Sequence, residues 1–253
     1  MTLSSTQLEQ LQARLDGDVT VDPATRAMYA TDASVYQIVP AGVVRPRHAE
    51  DVAVVLAFCR EHGISITARG GGTSQAGQAI GAGLQLDFSK YLNQIVELTP
   101  ERKSVRVQPG IVLDELNAFL KPYGLHLPLD LSTSNRATLG GMISNNSSGT
   151  RSVMYGKTLD YVDELTVVLS DGSVVEMCPL EPEALTAKCA QDDKEGACYR
   201  IVRNLSIEHA REIEKRYPKI LRRVGGYNLD EFANGNPFHL ARLIVGSEGT
   251  LGL

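Results

Sequence analysis

The sequence predicts a mixed α+β fold, and three observations carry that reading. Val43–Val44 reads as a short strand, and residues 64–67, 84–88 and 105–107 alternate apolar and polar residues with the two-residue period of strands. Between the first two, residues 49–62 place Val52, Val55, Leu56 and Cys59 on one helical stripe. Further on, a hairpin pattern at 165–177 is followed by a long helical pattern at 197–217. A length of 253 residues accommodates one large domain or two small ones, and 43% hydrophobic residues suffice for a sizeable core. The net charge of -5 argues against a nucleic-acid surface, which needs clustered excess Lys and Arg.

Taken in order, residues 1–15 set Leu3, Leu8, Leu11 and Leu15 at helical spacing, which predicts a first amphipathic helix within an N-terminal segment 1–40. Val43–Val44 is a short strand ended by Arg45-Pro46. The helix 49–62 stops at Gly63, where a left-handed C-terminal cap belongs. Strand 64–67 then delivers the chain into A-R-G-G-G-T-S-Q-A-G-Q-A at 68–79, before Leu84, Leu86 and Phe88 alternate in one strand and Val105 and Val107 in another. This β-α-β-loop-β-β order makes a compact α/β unit, ended by Pro109-Gly110.

Residues 112–121 read as a helix with Leu113, Leu116, Phe119 and Leu120 inward, stopped by Pro122 and Gly124. Residues 125–133 have turn character around Pro128, with Asp130 and several hydroxyls nearby. The hairpin 165–177 turns at Asp171-Gly172, a type I′ signal. Residues 179–196 read as a charged, irregular surface excursion. The helix 197–217 is expected to bury Ile201, Leu205 and Ile213, and residues 243–245 read as a buried strand.

Three glycine-rich stretches carry the chemistry. In the first, successive N–H groups can form an anion-binding nest, with Arg69 as a cation and Thr73 and Ser74 as hydroxyl donors. Taken alone it reads equally well as a glycine-rich surface turn. It is not a P-loop, because Gln75 and Gln78 stand where a Lys would be needed. It is not the dinucleotide fingerprint either: Gly70 and Gly72 begin that spacing, but position 75 is Gln. The second stretch, 138–152, combines paired glycines with small and amide side chains. It favours close approach of a ligand, with a small-residue helix packed on a sheet as the alternative for residues 139–143. The third, 246–252, ends the sequence on what reads as a ligand loop, so more protein is expected beyond Leu253. Cys59, Cys178, Cys189 and Cys198 follow no metal or redox spacing, the five histidines are scattered, and no apolar run reaches the roughly 20 residues of a membrane span.

The strings R-G-G-G-T-S, V-R-V-Q-P-G, L-G-G-M-I-S-N-N-S-S-G-T-R-S-x-x-Y-G, L-x-V-V-L-x-D-G and G-S-E-G-T-L-G, in this order, resemble the flavin-binding domain of the vanillyl-alcohol-oxidase and p-cresol-methylhydroxylase type. Within it they most resemble the FAD-linked D-2-hydroxy-acid dehydrogenases: the D-lactate dehydrogenase, glycolate oxidase and D-2-hydroxyglutarate dehydrogenase branch. R-R-V-G-G-Y-N-L at 222–229 looks like the long bacterial members that carry an iron–sulfur region further on. The resemblance implies two FAD-binding subdomains, 41–110 and 111–253, with the cofactor extended between them and the sequence ending before a substrate domain.

By position, Arg69, Gly70, Gly71, Gly72, Thr73, Ser74 and Gln75, with Gly77 and Gln78, would hold the pyrophosphate. Pro128 and Asp130, with Thr138, Leu139, Gly140 and Gly141, would contact the rest of the cofactor. Asn145, Ser148 and Gly149 would join them, and Glu248 and Gly249 would close the far side. No histidine stands in the first loop, so non-covalent FAD is implied.

The implied activity is oxidation of a D-2-hydroxy acid to the 2-oxo acid by hydride transfer to the flavin. No catalytic residue and no metal ligand is expected within this stretch, and any iron–sulfur cluster would belong to a missing C-terminal part. The acid would be gripped by the missing domain, and the electron acceptor is unknown. The expected location is the cytoplasm or the inner face of the membrane. The alternatives are a flavin enzyme for another alcohol and a non-catalytic module for a phosphorylated ligand.

Overall fold

Two strands with buried apolar side chains set the first sheet. The computed structural model describes residues 2–233 and 237–253, which pack as two compact units, Met1–Met142 and Ile143–Leu253. The first unit opens with helix α1 (Ser5–Gln12), capped by the Ser4 side chain, which accepts from Gln7 N–H. Of the four leucines expected to form its stripe, Leu11 is fully buried. Strand β1 (Asp18–Thr20), helix α2 (Pro23–Met28), strand β2 (Gly42–Arg45), helix α3 (Ala49–His62), strand β3 (Ile66–Arg69) and strand β4 (Leu84–Asp87) follow.

The sheet order is β1-β2-β4-β3. β4 lies parallel to both β2 and β3, so Leu86 faces Val44 on one side and Ala68 on the other. β1 runs antiparallel along the β2 edge. Val43, Val44, Leu84 and Leu86 are 0% exposed. Each such burial stabilises by about 1.5–3 kcal/mol relative to exposure.

α3 has the predicted bounds. His48 caps its start by accepting from Asp51 N–H, and Gly63 ends it at φ 62°. Its stripe differs from the expected one: Phe58 is buried with Val52, Val55 and Cys59, while Leu56 is only half-buried. The strand expected at 64–67 lies at 66–69, because Ile64 N–H still donates to Cys59 O and completes the helix cap.

An antiparallel pair follows, strand β5 (Ile95–Thr99) with strand β6 (Ser104–Val107). β5 was not predicted; a register shift between Ile95 and Glu97 breaks its alternation. Helix α4 (Leu113–Leu120) buries Leu113, Leu116 and Leu120 in a core shared with Ile111, Leu129, Leu139 and Met142. Phe119, expected inward, is 39% exposed, its ring 5.8 Å from that of Tyr123. Helix α5 (Leu139–Asn145) starts in this core, so the small-residue helix is the local structure of the second glycine stretch.

In the second unit, helix α6 (Ser152–Tyr155) precedes strands β7 (Leu165–Val168) and β8 (Val174–Met177), an antiparallel hairpin where one was expected. Its turn is not type I′. Gly172 N–H donates to Leu169 O, and of the turn residues Gly172 alone has positive φ, at 92°. Type I′ needs two such residues. Leu253 exchanges hydrogen bonds with Val168.

The expected irregular excursion contains helix α7 (Pro182–Cys189), with Pro182 at its first turn. The long helix is two, α8 (Lys194–Glu208) and α9 (Ala210–Arg216), meeting at His209. Their buried apolar side chains are Tyr199, Val202 and Ile213, while Ile201 is 57% exposed. Residues 241–244 form helix α10 (Ala241–Ile244) rather than a strand, although Leu243 and Val245 are buried as expected. One core holds β7, β8, α8 and α10 together through Val167, Val175, Met177, Tyr199, Val202 and Leu240.

Candidate functional site

The first glycine loop leaves the sheet at Arg69, the last residue of β3, opposite Asp87 of β4. Beyond this point the chain turns away from the ladder. Among the described residues, the N–H groups of Gly71 to Gly77 donate to no carbonyl or side chain. Gly72 and Gly77 have φ of 65° and 86°, which L side chains rarely adopt. A run of unspent backbone donors with glycine-type turns suits an anion that brings several acceptor oxygens. The Ser74 hydroxyl bonds to the Gln78 side chain.

The loop also sits tightly on its own unit. A methyl group on Gly70 would lie 2.0 Å from Thr138 Oγ1, and one on Gly71 would lie 2.1 Å from Arg136 O. Residues 136–140 are held in turn by the stretch before α4. Leu113 N–H donates to Ala137 O, Leu139 N–H to Ile111 O and Gly140 N–H to Pro109 O. Within one unit Gly70 therefore meets Thr138, itself buried, and Gly71 meets the backbone of Arg136. Leu139 faces the core, whereas Gly141 is exposed. Pro128 is half-buried and Asp130 is exposed on the stretch between α4 and this segment.

Arg69 does not reach freely into the loop. Its Nη1 donates to Ala79 O at 2.9 Å and its Nη2 to Thr31 O at 2.9 Å, while its guanidinium lies 5.2 Å from the centre of the Tyr29 ring. Burial lowers its pKa, against the opposing pull of Tyr29, Asp32 and Asp87. Tyr29 donates to the buried Asp87 carboxylate, and burial, with Asp87, raises the phenol's pKa.

The remaining sequence-predicted residues lie in the second unit. Asn145 Nδ2 donates to Ser147 Oγ at 3.0 Å, Ser148 is half-buried and Gly149 is buried. The neighbouring Asn146 is 1% exposed at φ 49°; its Oδ1 accepts from Leu159 N–H, while its Nδ2 has no partner. Glu248 and Gly249 are exposed, with φ of 52° and 75°. Gly246 N–H donates to Ile143 O and Glu248 N–H to Ser144 O, so the third glycine loop is tied to the second stretch inside this unit.

Sequence reasoning missed the support behind that loop. Asn228 Nδ2 donates to Val245 O at 2.7 Å and to Arg242 O at 3.1 Å. Its Oδ1 accepts from Arg223, whose guanidinium forks onto Asp230 with both distances at 2.6 Å. Tyr227 and Thr250 share a hydroxyl bond at 2.9 Å. The available signal was the R-R-V-G-G-Y-N-L string, which pairs a buried-type amide with an arginine.

Residues 40–177 match the family described as FAD binding domain. The chain belongs to that FAD-binding family. It is 42% identical over 240 residues to a D-2-hydroxyglutarate dehydrogenase of Pseudomonas putida, covering 93% of this chain and 24% of that protein. To the Escherichia coli protein of the same name it is 38% identical over 250 residues, covering 96% and 25%. To glycolate oxidase subunit GlcD of Bacillus subtilis it is 33% identical over 233 residues, covering 91% and 39%. The chain thus spans about a quarter of the length of the D-2-hydroxyglutarate dehydrogenases it matches.

Among solved structures, an alkyldihydroxyacetonephosphate synthase superposes with a TM-score of 0.63 at 22% identity, over 69% of this chain and 38% of that one. A variant of Physcomitrella patens BBE-like 1 superposes at 0.59 and 20%, over 67% and 37%. These neighbours share the α+β fold expected from the resemblance. The unspent N–H groups of the first loop are donors that a diphosphate would satisfy, so the residues present in this FAD-binding chain fit the cofactor. Among the described residues no group of three or more His, Cys, Asp or Glu side chains could hold a metal ion, and no helix is long and apolar enough to cross a membrane.

Proposed function

We propose that this chain is the FAD-binding part of a flavin-dependent oxidoreductase that converts a D-2-hydroxy acid to its 2-oxo acid. The observation that carries the reading is the run of unspent N–H donors from Gly71 to Gly77, set in a chain of the FAD-binding family. The names of the similar proteins favour D-2-hydroxyglutarate as the acid, with glycolate and D-lactate as the neighbouring cases.

In this reading the loop from Gly70 to Gln78 receives the diphosphate, with Arg69 at its base and the Thr73 and Ser74 hydroxyls beside it. Thr138 to Gly141, with Pro128 and Asp130, line the cofactor from the first unit. Asn145, Ser148, Gly149, Glu248 and Gly249 are candidate cofactor contacts within the second unit. FAD supplies the two-electron acceptor when bound. The chain's own residues bind it non-covalently, orient it and offset the diphosphate charge through backbone dipoles. The groups that grip the acid and take its hydroxyl proton belong to sequence outside this chain, as would an iron–sulfur region and the contact with the electron acceptor. A cytoplasmic site of action, or one at the inner face of the membrane, accords with four free cysteines.

The test is a visible spectrum of the purified chain after FAD is added and the excess removed. Retained oxidised-flavin absorbance that is lost in a Gly71→Val variant whose far-ultraviolet circular dichroism matches the parent's supports the loop assignment. Retention unchanged by that substitution sinks it.

A further inference from the structure

We propose that residues 29–36, which precede the family-matched residues 40–177, form a strap that holds the first glycine loop in its anion-accepting shape, with Arg69 acting as a positioning residue for that loop. The inference rests on the FAD reading for what the loop holds. The strap's grip on the loop stands on geometry alone.

Arg69 is at the entrance of the loop and Ala79 at its exit. One guanidinium serves both ends: Nη1 donates to Ala79 O, and Nη2 to Thr31 O of the strap. The strap makes two further contacts. Asp32 Oδ2 accepts from Ala79 N–H at 3.4 Å, while Asp32 Oδ1 accepts from Ser34 N–H at 2.8 Å and so fixes its own carboxylate. Tyr36 lies against Gly77, where an added methyl would stand 3.0 Å from the ring. Gly72 completes the arrangement, because a methyl there would meet Arg69 Nη2 at 2.6 Å. That glycine lets the guanidinium lie under the loop.

A guanidinium has a rigid planar fork of donors, which suits two carbonyls held at fixed positions, whereas a lysine ammonium is a point charge on a flexible stem. Two of the donors are already committed to carbonyls, and the Tyr29 ring, the Asp32 carboxylate and the Asp87 carboxylate lie around the cation. Closing the loop's two ends onto one side chain removes freedom that would otherwise be lost when a ligand binds. The N-terminal strap therefore contributes to cofactor affinity without touching the cofactor.

The experiment compares the full 253-residue chain with its Arg69→Lys, Arg69→Gln and Asp32→Ala variants. FAD affinity is measured by titration over a salt series, and amide hydrogen exchange is measured without ligand. Protection in β2 and β4 reports that each variant is folded. The expected result is faster exchange at Ala79, whose N–H donates to Asp32, and at Ile80, whose N–H donates to Gly77 O, in all three variants. Arg69→Lys and Arg69→Gln should weaken FAD binding alike, by about tenfold, with the slope of log Kd against log salt unchanged.

Parent-like affinity in Arg69→Lys, with loss and a shallower salt slope in Arg69→Gln, would make Arg69 a direct ionic ligand and overturn the proposal. Unchanged exchange at Ala79 and Ile80 in folded variants would overturn it equally. A parent chain that takes no FAD would remove the FAD reading, and the exchange measurement would still decide whether the strap holds the loop.

Discussion

At the residue scale, the glycines divide into those that the chain's own packing requires and those it leaves open. Gly71 faces Arg136 O at a distance no Cβ tolerates, and backbone cannot rotate out of the way as a side chain could. Gly71→Ala should destabilise the fold by about 1–3 kcal/mol, the usual cost of overpacking, and should weaken FAD binding as the loop lifts. Gly225 has nothing within 4 Å of where a methyl would sit, so Gly225→Ala should change stability by no more than about 0.5 kcal/mol. Chemical denaturation of both variants checks the contrast, and equal midpoints would refute the packing account.

A second residue-scale outcome concerns Cys59. Burial pushes its thiol up to about 12, and the side chain is 2% exposed. Thiolate is the reactive species, so Cys59 should be the slowest of the four cysteines to alkylate in the native protein at about pH 8. Mass-resolved labelling decides this, and a Cys59 rate equal to that of the half-buried Cys178 would contradict it.

At the scale of elements, the bounds of α3 were legible because two local signals agree: an apolar stripe and a terminal glycine. The elements that were misread lacked such agreement. Residues 243–245 are too few to tell a helix from a strand by period, and α10 is only four residues long. β5 hides behind a register shift, and α7 behind a run of charges that its proline start outweighs. Phe119 and Ile201 were placed inward by periodicity, but the neighbouring elements cover other parts of their helices. Of the candidate site, the glycine stretches could be read because glycine reports backbone need. Their supports could not, since Arg69 with Thr31, or Asn228 with Val245, are distant pairings that one sequence does not reveal.

The Asn228 support yields its own prediction. Asn228→Ala leaves Val245 O and Arg242 O without this donor and takes an acceptor from Arg223. The cost should be about 2–3 kcal/mol, typical of breaking a buried polar network. Exchange should quicken in residues 245–250 beyond the rest of the second unit. A uniform change across that unit would refute a local role for this amide.

At the scale of the whole molecule, the prediction is linkage between ligand and stability. A ligand that binds the folded chain and not the unfolded one stabilises it by about 2.7 kcal/mol at a hundredfold excess over Kd. For a chain of this length each kcal/mol raises Tm by roughly 2–4 °C, so saturating FAD should raise Tm by about 5–10 °C. The identity of the ligand then separates the competing readings. A flavoprotein module gains from the adenosine and flavin parts of FAD as well as from its diphosphate. A general phosphate nest gains only from what the N–H run of the first loop can hold. Inorganic pyrophosphate and ATP should therefore shift Tm much less than FAD does. Equal shifts from all three would leave the nest chemistry standing and remove the flavin assignment. A shift from FAD that survives Gly71→Val would move the site away from the first loop altogether.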